Sequence, residues 1–404
     1  MMLFQTLDNK SQCVGVYTDN KLVFDLDKLP QGLSRTWSYA PYLKGKDIEY
    51  VSLYLEGETL QKHLPEFLLD DWEDITRSLS AFKRAHTISK VNMDENCFYD
   101  LVPTRFLIEW CKTKNNITQH IASSLPKPRR YEFYKHVHIM LRDIEDQKIN
   151  YNKKMVSSYL GDKKLSAHAN NILKSRGVIS YNQFGTKTGR LTTKPKSFPI
   201  LTLPRAFRKA IIPNNDFFVE LDFNGAEIRT LLGLLERQQP LDDIHEYHLE
   251  SVFNDMSHRD QAKQAFFAWL YGSKKYTSST QGVKLDSFYD KQKLLQKYYQ
   301  DQTVITPYHK KIKNTSSHHA LNYLIQSTTA ELVLKQALKI NHYLRKRQSK
   351  SFLACVIHDA VVLDMKHADL HELLNIKKLM ESTNFGKFKI NIKKGKNLGE
   401  LKSG

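Results

Sequence analysis

Apolar and polar positions alternate through the first thirty residues. CVGVYTD (13–19) and KLVFDLD (21–27) flank Asp19–Asn20, and a period of two around a turn pair predicts a β-hairpin. The period then lengthens. Residues 58–85 carry helical spacing broken at Pro65, and 104–122 predict a second helix. SSLPKPRR (123–130) holds two prolines and three basic residues, which places a boundary there. YEFYKHVHIMLRDIEDQKI (131–149) predicts a long helix with Tyr134, Val137, Ile139, Met140 and Ile144 apolar. A short polar helical region follows at 157–177, with Gly177 as its C-cap.

YNQFGTKTGRLTTKPKSFP (181–199) reads as a basic loop. FFVELDF (217–223) reads as a buried strand, with Asp222 at its end. GAEIRTLLGLL (225–235) is a helix with Ile228, Leu231, Leu232 and Leu235 on one face. A further helix spans 259–272. Residues 273–317 are polar and weakly patterned. Residues 319–347 form a long amphipathic helix. FLACVI and AVVLDM make a second hairpin about His358–Asp359, and the chain closes with a helix at 369–383 and a strand.

Composition narrows the partner. The chain has 404 residues, 41% of them hydrophobic, enough for two or three units with real cores. Sixty-one Lys and Arg against 43 Asp and Glu leave a net charge of +18. Such an excess favours a polyanion, nucleic acid before membrane. Cys13, Cys97, Cys111 and Cys355 are scattered with no CxxC, which speaks against a zinc site or a disulfide framework and for a reducing compartment. No segment approaches the ~18–20 apolar residues of a membrane span. A cytoplasmic protein is expected.

Three segments carry candidate chemistry. Asp222 ends a strand just before a helix, a position that suits a metal carboxylate and equally a helix cap. Asp359 sits at a hairpin tip, where Asp is also a common turn residue. Between them Arg259, Lys263, Phe267 and Tyr271 recur every four residues. Steps of four drift only about 40° on a helix, so these side chains form one stripe roughly 18 Å long. Two cations followed by two aromatics suit phosphate ligands beside a stacking surface, although a basic helix end grading into a buried aromatic end has the same pattern.

These residues carry a family resemblance, which runs from about Tyr131 to Gly404. FFVELDFNGAEIRTLL resembles the first palm motif of family A DNA polymerases, the bacterial DNA polymerase I type. RDQAKQAFFAWLYG resembles their fingers helix, and VIHDAVVLD their second palm motif. TGRLTT (188–193) resembles TGRLSS, and LNYLIQSTTAELV (321–333) resembles the NxxxQGTAAD helix. The order is also the family's.

The resemblance implies a mixed α/β (α+β) right-hand fold with an antiparallel palm sheet and helical fingers, to which the chain is expected to add a reduced thumb and an unfamiliar small N-terminal α/β module. It implies boundaries of 1–125 for that module, 126–204 for the start of the palm and the thumb, 205–235 for the first palm motif, 236–336 for the fingers and 337–404 for the second palm motif. Asp222 and Asp359 would hold two Mg²⁺ ions. Arg259 and Lys263 would bind the incoming deoxynucleoside triphosphate, Lys263 also as proton donor. Phe267 and Tyr271 would lie against sugar and template base, and Glu227 would exclude a ribose 2′-hydroxyl. Arg190, Asn322, Gln326 and His358 would contact primer–template DNA.

Departures from the family pattern sharpen these expectations. Ala360 stands where Glu usually follows the second Asp, and Asp364, of opposite parity to Asp359, is not expected to replace it. Ser327–Thr328 replaces Gly-Thr, His318 replaces a frequent Arg, and Leu398 a frequent Trp. The stretch between the helix at 131–145 and TGRLTT is short, hence the reduced thumb and a processivity partner. The first 120 residues lack the Asp-x-Glu strand of a proofreading exonuclease; Asp25-Leu26-Asp27 is the nearest approach and reads as the end of a hairpin strand. The expectation is therefore a DNA-directed DNA polymerase without proofreading, of phage or mobile-element origin. Translesion or RNA-templated synthesis, and a catalytically decayed DNA-binding accessory protein, are the alternatives.

Overall fold

The computed structural model describes residues 2–7, 15–43, 45–93, 95–253, 258–273 and 279–403. Two compact units meet in sequence between Asp146 and Gln147.

The first unit holds a four-stranded sheet. Its strands are β1 (Met2–Thr6), β2 (Val16–Thr18), β3 (Lys21–Val23) and β4 (Leu33–Ser34), in the order β3-β2-β1-β4. β2 and β3 form the expected hairpin, because Asp19 and Asn20 both adopt the left-handed backbone that such a turn requires. Cys13 and Val14 lie outside the described residues. Three helices follow: α1 (Leu69–Ile88), α2 (Thr104–Ser124) and α3 (Tyr131–Glu145). Pro65 confines regular helix to the stretch after it, as expected.

α2 lies against β1, where the buried Gln5 donates to Asn115 Oδ1 (2.8 Å) and Thr118 Oγ1 (2.9 Å). Asp25 and Asp27 sit past the end of β3, exposed, with Asp25 paired to Lys28 at 3.0 Å.

The unit boundary falls twenty-one residues beyond the one expected at 125. α3 belongs to the first unit because the Tyr50 amide donates to Tyr131 Oη (2.7 Å) and the Tyr54 and Tyr131 rings meet edge-on. The proline-rich segment therefore joins two helices of one core. One cysteine expectation also changes, since Cys97 is disulfide-bonded. Cys111 and Cys355 are buried free thiols.

The second unit begins with α4 (Lys153–Ser157) and α5 (Ser166–Leu173). α5 ends at Leu173, so Gly177 is not its cap. Gly177 instead turns the following loop, and its carbonyl accepts from the Ile149 amide. β5 (Tyr181–Asn182) pairs with β6 (Thr192–Thr193) across the TGRLTT segment, and α6 (Arg205–Arg208) precedes β7 (Phe217–Phe223).

Next come α7 (Ala226–Leu234), α8 (Ile244–Ser251) and α9 (Arg259–Leu270). Residues 273–317, weakly patterned in sequence, contain α10 (Thr280–Phe288), α11 (Lys291–Tyr298) and a small antiparallel sheet. That sheet comprises β8 (Tyr299–Gln300), β9 (Thr303–Ile305) and β10 (Lys311–Ile312). These elements are too short for their periodicity to register. They are held by a shared core of Phe266, Trp269, Leu285, Tyr289, Leu294 and Val304.

The chain continues through α12 (Ser317–Lys346), β11 (Phe352–Ile357), β12 (Ala360–Met365) and α13 (Leu373–Glu381). It ends with β13 (Ser382–Thr383), β14 (Gly386–Lys387), β15 (Ile390–Gly395) and β16 (Lys402–Ser403).

The main sheet is antiparallel, in the order β11-β12-β7-β15-β16. β7 is central, which explains its near-continuous apolar sequence. Phe217, Phe218, Val219, Leu221 and Phe223 are buried, and only Glu220 and Asp222 are partly exposed. Those two alternate onto one face. No helix among the described residues is long and apolar enough to cross a membrane.

Candidate active site

Strand register builds the site. Ala360, the first residue of β12, lies opposite Asp222, and Asn391 of β15 flanks Asp222 on the other side. His358 takes a left-handed backbone (φ +54) to close the β11–β12 turn, which leaves Asp359 beside the end of β7. Two carboxylates 137 residues apart in sequence thus share one sheet end. Burial, then the charges of Asp359 and Glu220, push Asp222 up to about 6, while Lys393 and a hydrogen bond from Asn391 act the other way. Burial also raises Asp359, against the pull of His358, Arg190 and Lys263.

Asp364 shares the face of Asp222 but pairs with Phe218, two steps along that face. It is buried and accepts from the amides of Asn214 (2.6 Å) and Asn215 (2.9 Å), so it anchors the turn into β7. Its distance along the strand and these bonds remove it from the site.

Glu227 enters from the first turn of α7. Gly225 makes this possible, since its φ of +68 turns the chain sharply after β7 and its missing Cβ makes room for Ile244. The buried Glu227 carboxylate accepts from Arg190 Nη2 through Oε1 and from Tyr271 Oη (3.4 Å) through Oε2. Burial raises its pKa, Arg190 opposes this, and the charge of Asp359 adds to it. The Phe267 and Tyr271 rings stack at 5.9 Å, and Tyr271 is exposed.

Lys263 is exposed one turn before Phe267, and its charge reaches Asp359. Arg259 is held by Asp243, with Nε to Oδ1 at 3.0 Å and Nη2 to Oδ2 at 2.8 Å. On α12, Asn322 and Gln326 are both half-buried, and Asn322 Oδ1 is buried without a hydrogen-bond partner. His358 is exposed and lines a small cavity with Arg190, Leu191, Leu201, Ala330 and Val356.

Asp222, Asp359, Glu227, Arg190, Lys263 and Tyr271 are therefore brought into mutual range. Asp243 and Arg229 escaped the sequence reading. Arg229 could have been noticed as a lone cation amid apolar helix residues, and Asp243 as an N-cap candidate. Their partners had no sequence signal.

Among the described residues no group of three or more His, Cys, Asp or Glu is arranged to hold a metal ion. Two adjacent half-buried carboxylates still fit Mg²⁺, which needs one or two such ligands when substrate phosphates and water complete its shell. Burial is the main cause of the raised proton affinity of both, and at Asp222 the charges of Asp359 and Glu220 add to it.

A sequence model described as DNA polymerase family A matches residues 147–319 and 303–400. The match begins where the second compact unit begins, not at Tyr131. DNA polymerase I of Lactococcus lactis subsp. cremoris (strain MG1363) is 25% identical over 250 residues, which cover 50% of this chain and 28% of that protein. The chain thus spans little more than a quarter of this curated relative. The POL domain of Pol1 from M. smegmatis, solved in complex with DNA primer-template and dNTP, superposes with a TM-score of 0.60 at 14% identity. That superposition covers 73% of this chain and 76% of the other, and it shows the fold. The family match spans more than half of the sequence and all of the site just described, and by it this chain belongs to DNA polymerase family A.

Proposed function

We propose that this chain is a DNA-directed DNA polymerase that adds deoxynucleotides to a primer 3′-hydroxyl, in replication or repair, with release of pyrophosphate. The observation that carries the proposal is the Asp222–Ala360 register, which sets Asp359 beside Asp222 and within range of Lys263. In this reading the palm comprises 205–235 and 337–404, the fingers 236–336, and a reduced thumb lies before 204.

Asp222 and Asp359 would hold two Mg²⁺ ions, which supply charge neutralisation and a more acidic primer hydroxyl when bound. Arg259 and Lys263 bind the triphosphate, and Lys263 is placed to give a proton to the departing pyrophosphate. Phe267 lies against the sugar and Tyr271 near the template base. Glu227, fixed by Arg190 and Tyr271, is a rigid wall under the sugar that rejects a 2′-hydroxyl. Arg190, Asn322, Gln326 and His358 contact primer and template, and the unpartnered Asn322 oxygen suits a donor on DNA. Positioning and electrostatics supply most of the catalysis.

Primer extension with Mg²⁺ tests the proposal. Asp222→Ala or Asp359→Ala should abolish extension while duplex binding stays nearly intact; extension within tenfold of wild type in either variant would overturn the assignment. Proofreading is not expected, because β1 reads Met-Leu-Phe-Gln-Thr and carries no carboxylate. Shortening of labelled single-stranded DNA by the protein with Mg²⁺ would contradict this. Ala360 favours a second reading, a decayed DNA-binding accessory protein, which a complete lack of extension by the wild-type chain would select.

A further inference from the structure

Arg259 opens α9, where a cation is opposed by the positive end of the helix dipole. Its bidentate partner Asp243 offsets this. Asp243 is itself fixed from other directions. It caps α8, accepting from the amides of His245 (2.9 Å) and Glu246 (3.3 Å), and it accepts from Asn224 Nδ2 at 2.8 Å. Burial disfavours its charge, yet the hydrogen bonds from Arg259, Asn224 and His245 hold its carboxyl well below the usual range.

Asn224 lies two residues beyond Asp222 and is clamped in turn. Its amide donates to the Lys389 carbonyl (3.0 Å), and its Oδ1 accepts from the Ile244 amide (2.9 Å). The wholly buried Arg229 donates to Asn224 O (2.7 Å), Asn224 Oδ1 (3.1 Å), Pro240 O (2.7 Å) and Asp242 O (2.8 Å). Two hydrogen-bonded links, Asn224 to Asp243 and Asp243 to Arg259, therefore join the end of the Asp222 strand to the first residue of α9.

Asp243 occupies Nε and Nη2 of Arg259. Nη1 faces outward, 3.6 Å from the exposed Asp260, and the side chain is 41% exposed. The planar fork is thus held by one edge, while the other faces only the exposed Asp260 at 3.6 Å, a loose pairing that a phosphate oxygen can displace.

We infer that Asp243 is a positioning residue for the incoming nucleotide: it fixes the Arg259 guanidinium at a set distance from Asp222, so that the triphosphate and the reacting end are in register before the nucleotide arrives. The inference rests on the polymerase reading of the same site and adds to it a residue that touches neither nucleotide nor DNA. Loss of the Asp243 carboxylate leaves the Arg259 charge in place but frees its orientation. Nucleotide binding should suffer more than the rate at saturation.

The test is a double-mutant cycle on nucleotide affinity, measured with a dideoxy-terminated primer–template so that binding is read without turnover. Asp243→Asn keeps a good helix cap and removes the charge. It should raise the nucleotide Kd by about tenfold, the scale of one charge-assisted hydrogen bond. On an extendable primer its KM should rise while kcat falls by less than about threefold. Arg259→Lys should raise Kd on its own, and Asp243→Asn should add less than about twofold in the Arg259→Lys background. Should Asp243→Asn fail to fold, Asp243→Ser, which also caps, is read in the same way. Additive effects, or a Kd within twofold of wild type in the single variant, would reduce Asp243 to a structural cap and overturn the inference. Absence of nucleotide binding by the wild-type complex would overturn the polymerase reading itself, and is distinguishable because it needs no variant.

Discussion

Replacing Asp222 with asparagine should make the protein more stable while removing its activity. The ordinary Asp value of 3.8 rises to about 6 at this position, through burial and the charges of Asp359 and Glu220. At 1.36 kcal/mol per pH unit that rise is worth about 3 kcal/mol. The folded protein holds this proton more tightly than the unfolded chain. Wild-type stability therefore falls as pH climbs from the unfolded value to about 6, and the loss remains constant above it. An asparagine carries no such penalty. Asp359 shares part of the repulsion and Asn391 loses a charged acceptor, so a gain of about 1–3 kcal/mol at pH 7.5 is expected.

For a unit of this size each kcal/mol moves the melting temperature by about 2–4 °C. Thermal unfolding in EDTA should then show Asp222→Asn melting several degrees above wild type at pH 7.5, with the difference reduced to about a third at pH 4.5. Added Mg²⁺ should raise the wild-type melting temperature and leave the variant unmoved, because a ligand stabilises only a fold that binds it. A variant that melts at or below wild type at pH 7.5, or a gain of equal size at both pH values, would refute the assignment of Asp222 to a site strained by its own charge.

Three further outcomes are expected. Glu227→Ala should lower discrimination against ribonucleotides, measured as single-nucleotide insertion with matched deoxy and ribo substrates; an unchanged ratio would remove the filter role from Glu227. Gly272→Ala should cost about 1–3 kcal/mol, because Gly272 has φ +72 and a new Cβ would lie 2.5 Å from His318 Cε1, and extension should weaken as Tyr271 shifts; an unaltered melting temperature would contradict this. Between residues 147 and 209 fourteen Lys and Arg accompany a single acid, Asp162. Duplex binding by a small thumb should therefore depend steeply on salt, about −0.9 in log K per phosphate neutralised. Product length with a trap at two salt concentrations reads this, and long products at moderate salt would show an adequate clamp.

What the sequence determined by itself is what local backbone geometry dictates. Short apolar runs in FFVELDF, FLACVI and AVVLDM place strands, and the short link through His358–Asp359 leaves little freedom in the pairing of the last two, so Asp222 and Asp359 were legible as carboxylates at strand ends. Steps of four put Arg259, Lys263, Phe267 and Tyr271 on one stripe before any coordinates, and Phe267 and Tyr271 do stack. Tertiary structure decided the rest. Arg190 meets Glu227 across 37 residues and Arg259 meets Asp243 across 16, pairings that no periodicity encodes because they depend on how separate elements close. The short elements between 280 and 312 exist only because Trp269, Leu285 and Tyr289 bury one another. α3 joins the first unit through contacts that include the Tyr131 hydroxyl and ring, the His138 ring on Tyr50 and the Lys135–Asp47 ion pair, despite the prolines before it. A repeat along the chain fixes which face a side chain occupies, whereas what that face meets is settled by the burial and hydrogen bonding of the whole fold.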